Sequence, residues 1–256
     1  MQTSIFSPGK NELWQVNKLQ KALLLLFLLA QVNVYSQINN WIGNTSSDWF
    51  TSSNWSAGIP TATSDVYISS GANYYPQISS GAAVAKSVHV AASTSFSING
   101  GSLSGADLLI NGNFLLSANA LLTMESKQIS GTGTATINGI LNTKRTEGFN
   151  GSANTTWVNG TLNLVLGASS TIEYSSESNQ TITAFSYANL KSSGNGNRQL
   201  SSTGIIRVSG SFTSGTNSYS IGNSEIELNG LSPQLLPTLT VNSGANFNRL
   251  VINNPS

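Results

Sequence analysis

Thr171-Ile172-Glu173-Tyr174, followed by Gln180-Thr181-Ile182 and Asn189-Leu190-Lys191, returns further along the chain as Glu225-Ile226-Glu227-Leu228, Gln234-Leu235-Leu236 and Arg249-Leu250-Val251-Ile252. The step from Glu173 to Glu227 equals the step from Gln180 to Gln234, and the step from Leu190 to Leu250 is slightly longer. A weaker copy starts at Leu122-Thr123-Met124-Glu125 with Gln128-Ile129, and precedes the first by a somewhat shorter step. Each copy alternates apolar and polar residues, as a half-buried strand does. Self-similarity on this scale, with a period of about fifty residues, marks stacked units that cannot bury their apolar faces alone.

Composition points the same way. Only 8% of the 256 residues are charged, against about a quarter in an average globular protein. Serine, threonine, asparagine and glycine fill the polar positions, while 39% hydrophobic residues suffice for a core. That balance suits exposed strand faces and frequent turns, and it does not suit disorder. The net charge is +1 and no basic run is present, so the electrostatic footprint of a nucleic-acid binder is missing. With no cysteine, disulfides, iron–sulfur clusters and thiolate zinc sites are excluded.

Lys10, Lys18 and Lys21 precede the apolar run Ala22–Ala30, and Tyr35-Ser36-Gln37 offers a cleavage point. This is the layout of a secretory signal peptide over residues 1–36. The run falls well short of the ~20 residues that a membrane span needs. Without residues 1–36 the chain keeps eight basic and nine acidic side chains. The expectation is therefore an exported protein with no membrane span in its mature part.

Residues 37–80 are read as a tryptophan-rich N-terminal cap with the first rung. They hold Trp41-Ile42-Gly43, Asp48-Trp49, Asn54-Trp55, Asp65-Val66-Tyr67-Ile68 and Tyr75-Pro76-Gln77-Ile78. Large aromatic side chains plug the end of a stack, where a terminal unit has no neighbour to hide its cross-section. Residues 81–256 are read as the repeat array. There the phrase aliphatic-Asn-Gly recurs at Ile98-Asn99-Gly100, Ile110-Asn111-Gly112, Ile137-Asn138-Gly139, Val158-Asn159-Gly160 and Leu228-Asn229-Gly230, with Val208-Ser209-Gly210 as a variant. Asn-Gly tolerates positive φ at both positions and so marks a corner or a hairpin. Most intervals between these glycines run to about 20–27 residues or twice that, which fits one or two rungs. The fold class expected is all-β, a right-handed parallel β-helix or solenoid with an N-terminal cap, about 24 residues to a rung and the motif a pair of rungs. About eight rungs would stack to about 40 Å. Val66, Val88, Leu109, Ile137, Ile226 and Ile252 are among the positions expected to face inward. The short interval between Gly100 and Gly112 leaves a β-sandwich as the alternative.

The string from Trp41 to Ile78 resembles the N-terminal module of large secreted surface proteins of gliding Gram-negative bacteria. In that family repeats carrying Gln-x-Ile and Asn-Leu-x-Ile follow. Gln180-Thr181-Ile182 with Asn189-Leu190 is similar to those repeats, while Leu236 and Arg249 depart from the pattern. The resemblance implies an adhesin-like surface protein exported by the type IX secretion route. That route reads a C-terminal sorting domain, and the chain stops at Asn253-Asn254-Pro255-Ser256 directly after a repeat strand. The expectation is an array cut before its end.

Candidate sites are few. Glu225 and Glu227 share one side of a strand, as paired acids for glycoside hydrolysis would, but the same alternation makes them an outward polar face around Ile226 and Leu228. Glu173, Glu177 and Lys144-Arg145 read as solvated. His89, the only histidine, points outward between Val88 and Val90 with no acid and hydroxyl to make a triad. Asp48 and Asp65 read as turn caps, since no calcium loop surrounds them. No catalytic residue, metal site or cofactor is assigned. Trp49, Trp55, Tyr74 and Tyr75 are the glycan-binding candidates, with packing into the core of the cap as the favoured reading of all four. The leading expectation is a secreted or cell-surface structural protein, partnered by extracellular glycans or surface proteins and more fitted to display than to catalysis. A carbohydrate-active or glycan-binding solenoid acting on extracellular polysaccharide is the alternative.

Overall fold

The computed structural model describes residues 36–158, 160–242 and 249–255, together with Lys18, Gln20 and Lys21. The expected leader, its apolar run included, lies otherwise outside the described residues. The chain divides into Met1–Tyr35 and Ser36–Ser256, and the second unit carries the strands.

That unit is a parallel β-solenoid of about nine coils. Sheet A takes Gln37–Asn40, Ser64–Ile68, Ser87–Val90, Asp107–Ile110 and Ile129–Gly131; sheet B takes Gln77–Ile78, Ser95–Ile98, Asn113–Leu116, Thr134–Ile137 and Asn163–Leu166. Sheet C runs through seven strands, Ala82–Val84, Ser102–Ser104, Leu121–Thr123, Ile140–Thr143, Thr171–Tyr174, Asn189–Ser192 and Phe212–Thr213. After the fifth of these, sheets A and B give way to sheet D (Gln180–Ile182, Arg198–Leu200, Ser218–Ser220, Thr240–Val241) and sheet E (Ser186–Tyr187, Ile205–Val208, Glu225–Leu228, Arg249–Ile252). Every ladder between these strands is parallel; Trp41 and Trp55 make an isolated antiparallel bridge. A β-sandwich, built from antiparallel pairs, is thereby ruled out.

Register partners set the coil length. Val66 pairs with Val88, Leu121 with Ile140, Thr171 with Asn189 and Ile205 with Glu225. A rung is thus roughly 18–22 residues, within the range of solenoid repeats but shorter than the glycine spacing suggests. Gln37 with Ser64 and Glu225 with Arg249 pair at longer steps, and the longest of these steps takes Ile140 to Thr171 across an insertion at residues 144–158 that follows the last strand of sheet A.

Parallel in-register stacking places like side chains in columns. The column Ala83, Leu103, Leu122, Leu141, Ile172, Leu190, Phe212 runs the length of sheet C, every member buried. Val66, Val88, Leu108 and Ile129 form another in sheet A. Contrary to expectation, Leu109 joins His89 on the outward side of that ladder while Leu108 and Ile110 face in. Asp107-Leu108-Leu109-Ile110 carries no alternation from which to choose. Ile252, also expected inside, follows Leu228 in its column yet is 61% exposed, since no described strand covers its far side.

The tryptophans close the first coil. Trp41, Trp49 and Trp55 are buried; Trp55 meets both of the others edge-on at 4.7 Å, and Trp49 leads through Phe96 to Phe114. Such contacts between rings add to their burial.

The Asn-Gly corners work differently from the expectation. None of the glycines at 100, 112, 139, 160, 210 and 230 has positive φ. Instead the Asn138 and Gly139 amides both donate to Leu116 O of the coil before, at 2.7 and 3.2 Å, and Asn111 and Gly112 do the same to Val90 O. A Cβ on Gly139 would lie 2.4 Å from both Ala120 O and Ser117 O. Close approach of one coil's corner to the previous corner, rather than a left-handed backbone, demands glycine.

The recurring motif is not a pair of rungs. Each copy is a single coil plus the strand that stacks on its own start, because Thr171–Tyr174 pairs with Asn189–Ser192 and Glu225–Leu228 with Arg249–Ile252. The first copy sits on sheet C and the second on sheet E, so the step between copies is not a whole number of rungs.

Candidate functional site

The strands of sheets B and D both present outward sides without an ionisable side chain, and that of sheet B begins at the cap. The strands of sheet B read Gln77-Ile78, Ser95-Phe96-Ser97-Ile98, Asn113-Phe114-Leu115-Leu116, Thr134-Ala135-Thr136-Ile137 and Asn163-Leu164-Val165-Leu166, without one ionisable residue. With Phe96, Phe114, Ile98, Leu116 and Ile137 turned in, two columns face out: Gln77, Ser97, Leu115, Thr136, Val165 and Ser95, Asn113, Thr134, Asn163. Hydroxyls, amides and two half-exposed aliphatic side chains make up this face.

At its N-terminal end lies a groove of about 330 Å³ lined by Asn73, Tyr74, Tyr75, Gln77, Ser95 and Ser97, among other uncharged residues. The cap builds it. The Tyr74 amide donates to Gly43 O at 3.1 Å and Tyr74 O accepts from the Trp41 indole at 2.6 Å, which fixes the backbone under a ring 49% exposed. Gly43 has φ +61°, and a Cβ there would meet Tyr74 O and the Trp41 indole nitrogen at 2.3 Å. Half-buried Tyr75 donates its hydroxyl to Ser93 O at 3.4 Å. Asn99 donates to Gln77 Oε1 at 3.2 Å, and Ser117 to Asn99 Oδ1 at 3.1 Å, so the amides beside the groove are held in a row.

The four glycan candidates therefore part company. Trp49 and Trp55 are buried in the cap, with the Trp55 indole donating to Trp49 O at 2.7 Å; neither offers a ring to a ligand. This corrects their place among the binding candidates, and the reason is that a terminal coil needs its largest side chains inside. Tyr74 and Tyr75 line the groove. Asn73, Gln77, Ser95 and Ser97 carry no signal in the sequence, because only the register of sheet B brings them beside the tyrosines.

Other candidates are occupied. Glu227 pairs with Arg207 at 2.8 Å and Glu225 with Arg249 at 3.3 Å, both across coils. Glu173 is buried rather than solvated, pairs with Lys191 at 3.0 Å and accepts from Ser193. Burial alone would raise its carboxyl, but hydrogen bonds from Ser193, Lys191 and Asn142 and the Lys191 charge outweigh that and hold it below the ordinary value. Glu177 accepts the Asn195 amide at 3.0 Å, and Lys144 pairs with Glu125 at 2.7 Å. His89 faces out and stacks on Tyr67 at 4.5 Å. Asp48 caps its turn, accepting the Phe50 amide and the Thr51 hydroxyl. Asp65 does not; it lies within a strand and accepts from Ser87 and Lys86 of the next coil. Among the described residues no group of three or more His, Asp and Glu side chains comes together in a way that could hold a metal ion.

The groups whose titration is most disturbed are sealed inside. Arg198 is buried and donates to the carbonyls of Gly196, Tyr174, Ser176 and Ser193; burial lowers its pKa, opposed by the charges of Tyr219 and Glu177. Tyr174 and Tyr187 share a 2.7 Å hydroxyl contact and are raised by burial, and burial pushes Tyr219 up to about 12. These side chains satisfy the interior where the sheets change over.

The fold defines a capped parallel β-solenoid whose sheets B and D each present an uncharged outward side. A family described as a domain of unknown function (DUF8693) matches residues 40–230, from the cap to just beyond strand Glu225–Leu228, and the chain belongs to that family. No curated protein and no solved structure matches the chain.

Proposed function

We propose that the chain is a structural, adhesin-like module of a secreted or cell-surface protein, a stiff solenoid that displays a binding face. One observation carries this reading: each of the six ion pairs found among the described residues joins one coil to the next. They take up six of the nine acids and six of the eight bases that follow residue 36. Each exposed pair contributes at most about 1 kcal/mol, so the apolar columns supply the cohesion and the pairs fix the register. Charged side chains engaged in this way suit a spacer better than a reaction centre, and the Glu225 and Glu227 pair in particular is spoken for by Arg249 and Arg207.

The leader-like segment before Gln37 supports export, and the tryptophan-rich string from Trp41 supports the type IX route. No helix among the described residues is long and apolar enough to cross a membrane. Antibody against the solenoid should label intact cells of the source organism, and external protease should remove the label. Labelling only after permeabilisation would contradict surface display.

A further inference from the structure

We propose that the groove at Tyr74 and Tyr75, with the outward side of sheet B that leads away from it, binds a chain of an uncharged polysaccharide. The inference deepens the display reading by naming its ligand, and rests on that reading only for the place where the ligand is met.

Charge decides the class. A strand face with no ionisable side chain over five rungs, beside a groove with no acid or base in its lining, gives an acidic glycan or a phosphate nothing to pair with. The neighbouring carboxylate of exposed Asp48, which bridges to Gln77, is already engaged by the Phe50 amide and the Thr51 hydroxyl. What it offers is hydroxyl and amide groups, which donate and accept alike. A neutral sugar presents the same kind of group around a ring whose faces are partly apolar. Tyr74 and Tyr75 supply flat amphipathic surface against such a ring. Gln77, Asn73, Ser95 and Ser97 lie where they can bond its hydroxyls.

The site is also organised in advance. Tyr74 is held at both its N–H and its C=O, Tyr75 through its hydroxyl, and Gln77 through Asn99. Little ordering is then left to oppose binding. Length follows from the stack. Five strands about 4.8 Å apart span about 19 Å, enough for several sugar units lying across the rungs and past Leu115 and Val165, the two exposed aliphatic side chains on the way. Trp41, whose indole fixes Tyr74 O, is on this reading a positioning residue as well as a core one.

Affinity electrophoresis of the full chain in gels containing neutral polysaccharides (a β-glucan, xylan or mannan) and acidic ones (alginate or pectate) tests the proposal. At least one neutral polysaccharide should retard the protein, and none of the acidic ones should do so more strongly. Tyr74→Ala, Tyr75→Ala and Ser97→Glu should each weaken retardation at least tenfold with unchanged circular dichroism. Glu225→Gln, on another sheet, should leave it as it was. Absence of retardation by every neutral polysaccharide, stronger retardation by an acidic one, or folded tyrosine variants that bind like the parent would each overturn it. Because the assay is made in solution, it can fail while the protein proves to be surface-displayed, and succeed while it does not.

Discussion

Gln180 and Gln234, which hold the same place in two copies of the motif, make the same three hydrogen bonds. Gln180 Oε1 accepts the amide of Ser176, and Nε2 donates to Thr143 O and Arg145 O of the preceding coil at 2.9 Å each. Gln234 Oε1 accepts the amide of Gly230, at the same offset along the chain, and Nε2 donates to Val208 O and Gly210 O at 2.8 and 2.6 Å. Thr143 and Val208 are the register partners of Tyr174 and Leu228, the last residues of the two motif strands. The repeat in the sequence is therefore a corner clamp, one glutamine binding its own turn to the coil before.

The two clamps should differ in strength. Gln180 is buried and Gln234 only half so. Removing the first strands two carbonyls and an amide away from water, whereas water can replace much of the second. Gln180→Ala should cost about 2 kcal/mol or more, seen as a melting point lower by about 4–8 °C; Gln234→Ala should cost less than half of that.

The cap carries its own prediction. Trp49 is fully buried against Trp55 and Phe96. Trp49→Ala should destabilise by about 3–5 kcal/mol, measured by urea titration, and should abolish no particular sugar contact. A stable Trp49→Ala protein would contradict the cap.

Two glycines in the same sequence phrase should respond in opposite ways. Gly139→Ala drives a Cβ against Ala120 O and Ser117 O, whereas nothing lies within 4 Å of a Cβ on Gly160. The first should lower the melting temperature clearly. The second should leave it unchanged or raise stability by up to about 1 kcal/mol through the unfolded chain.

Acid should loosen the middle of the stack. Glu173 has a lowered pKa in the folded chain, so its contribution is present above the ordinary value of 4.5 and is lost as pH falls through the folded value. Stability measured from pH 6 downward should decline below about 4.5, and Glu173→Gln should flatten that decline. An acid limb unaltered by the substitution would assign the lability elsewhere.

Much of this architecture is legible in the sequence. Strict alternation in Ser87-Val88-His89-Val90 and Glu225-Ile226-Glu227-Leu228 places both the core and the outward His89 and glutamates, since period two leaves a strand one way to face. Asp107-Leu108-Leu109-Ile110 has no such pattern, and the sequence puts Leu109 on the wrong side. The glycine corners are visible but their cause is not, for close approach to Ala120 O depends on the neighbouring coil. The clamp glutamines stand out as a repeat, although what they clamp lies about 24 to 37 residues away. The groove is the hardest part to read. Tyr74 and Tyr75 can be named, but Ser95 and Ser97 join them only through register, and Trp49 and Trp55 look like the same class of residue until burial separates them.

Every assignment of a residue to the uncharged face of sheet B depends on the coil register, and cysteine pairing measures it directly, because the chain has no cysteine of its own. Leu115 and Thr136 are register partners on the outward side of sheet B, within the Cα separation of about 4.4–6.8 Å that a disulfide bridges. Leu115→Cys with Thr136→Cys should cross-link on mild oxidation, as read by peptide mass mapping, while Leu115→Cys with Ala135→Cys, whose second side chain faces inward, should stay reduced. Cross-linking of the second pair in place of the first would contradict the register, and with it the face on which the proposed polysaccharide site stands.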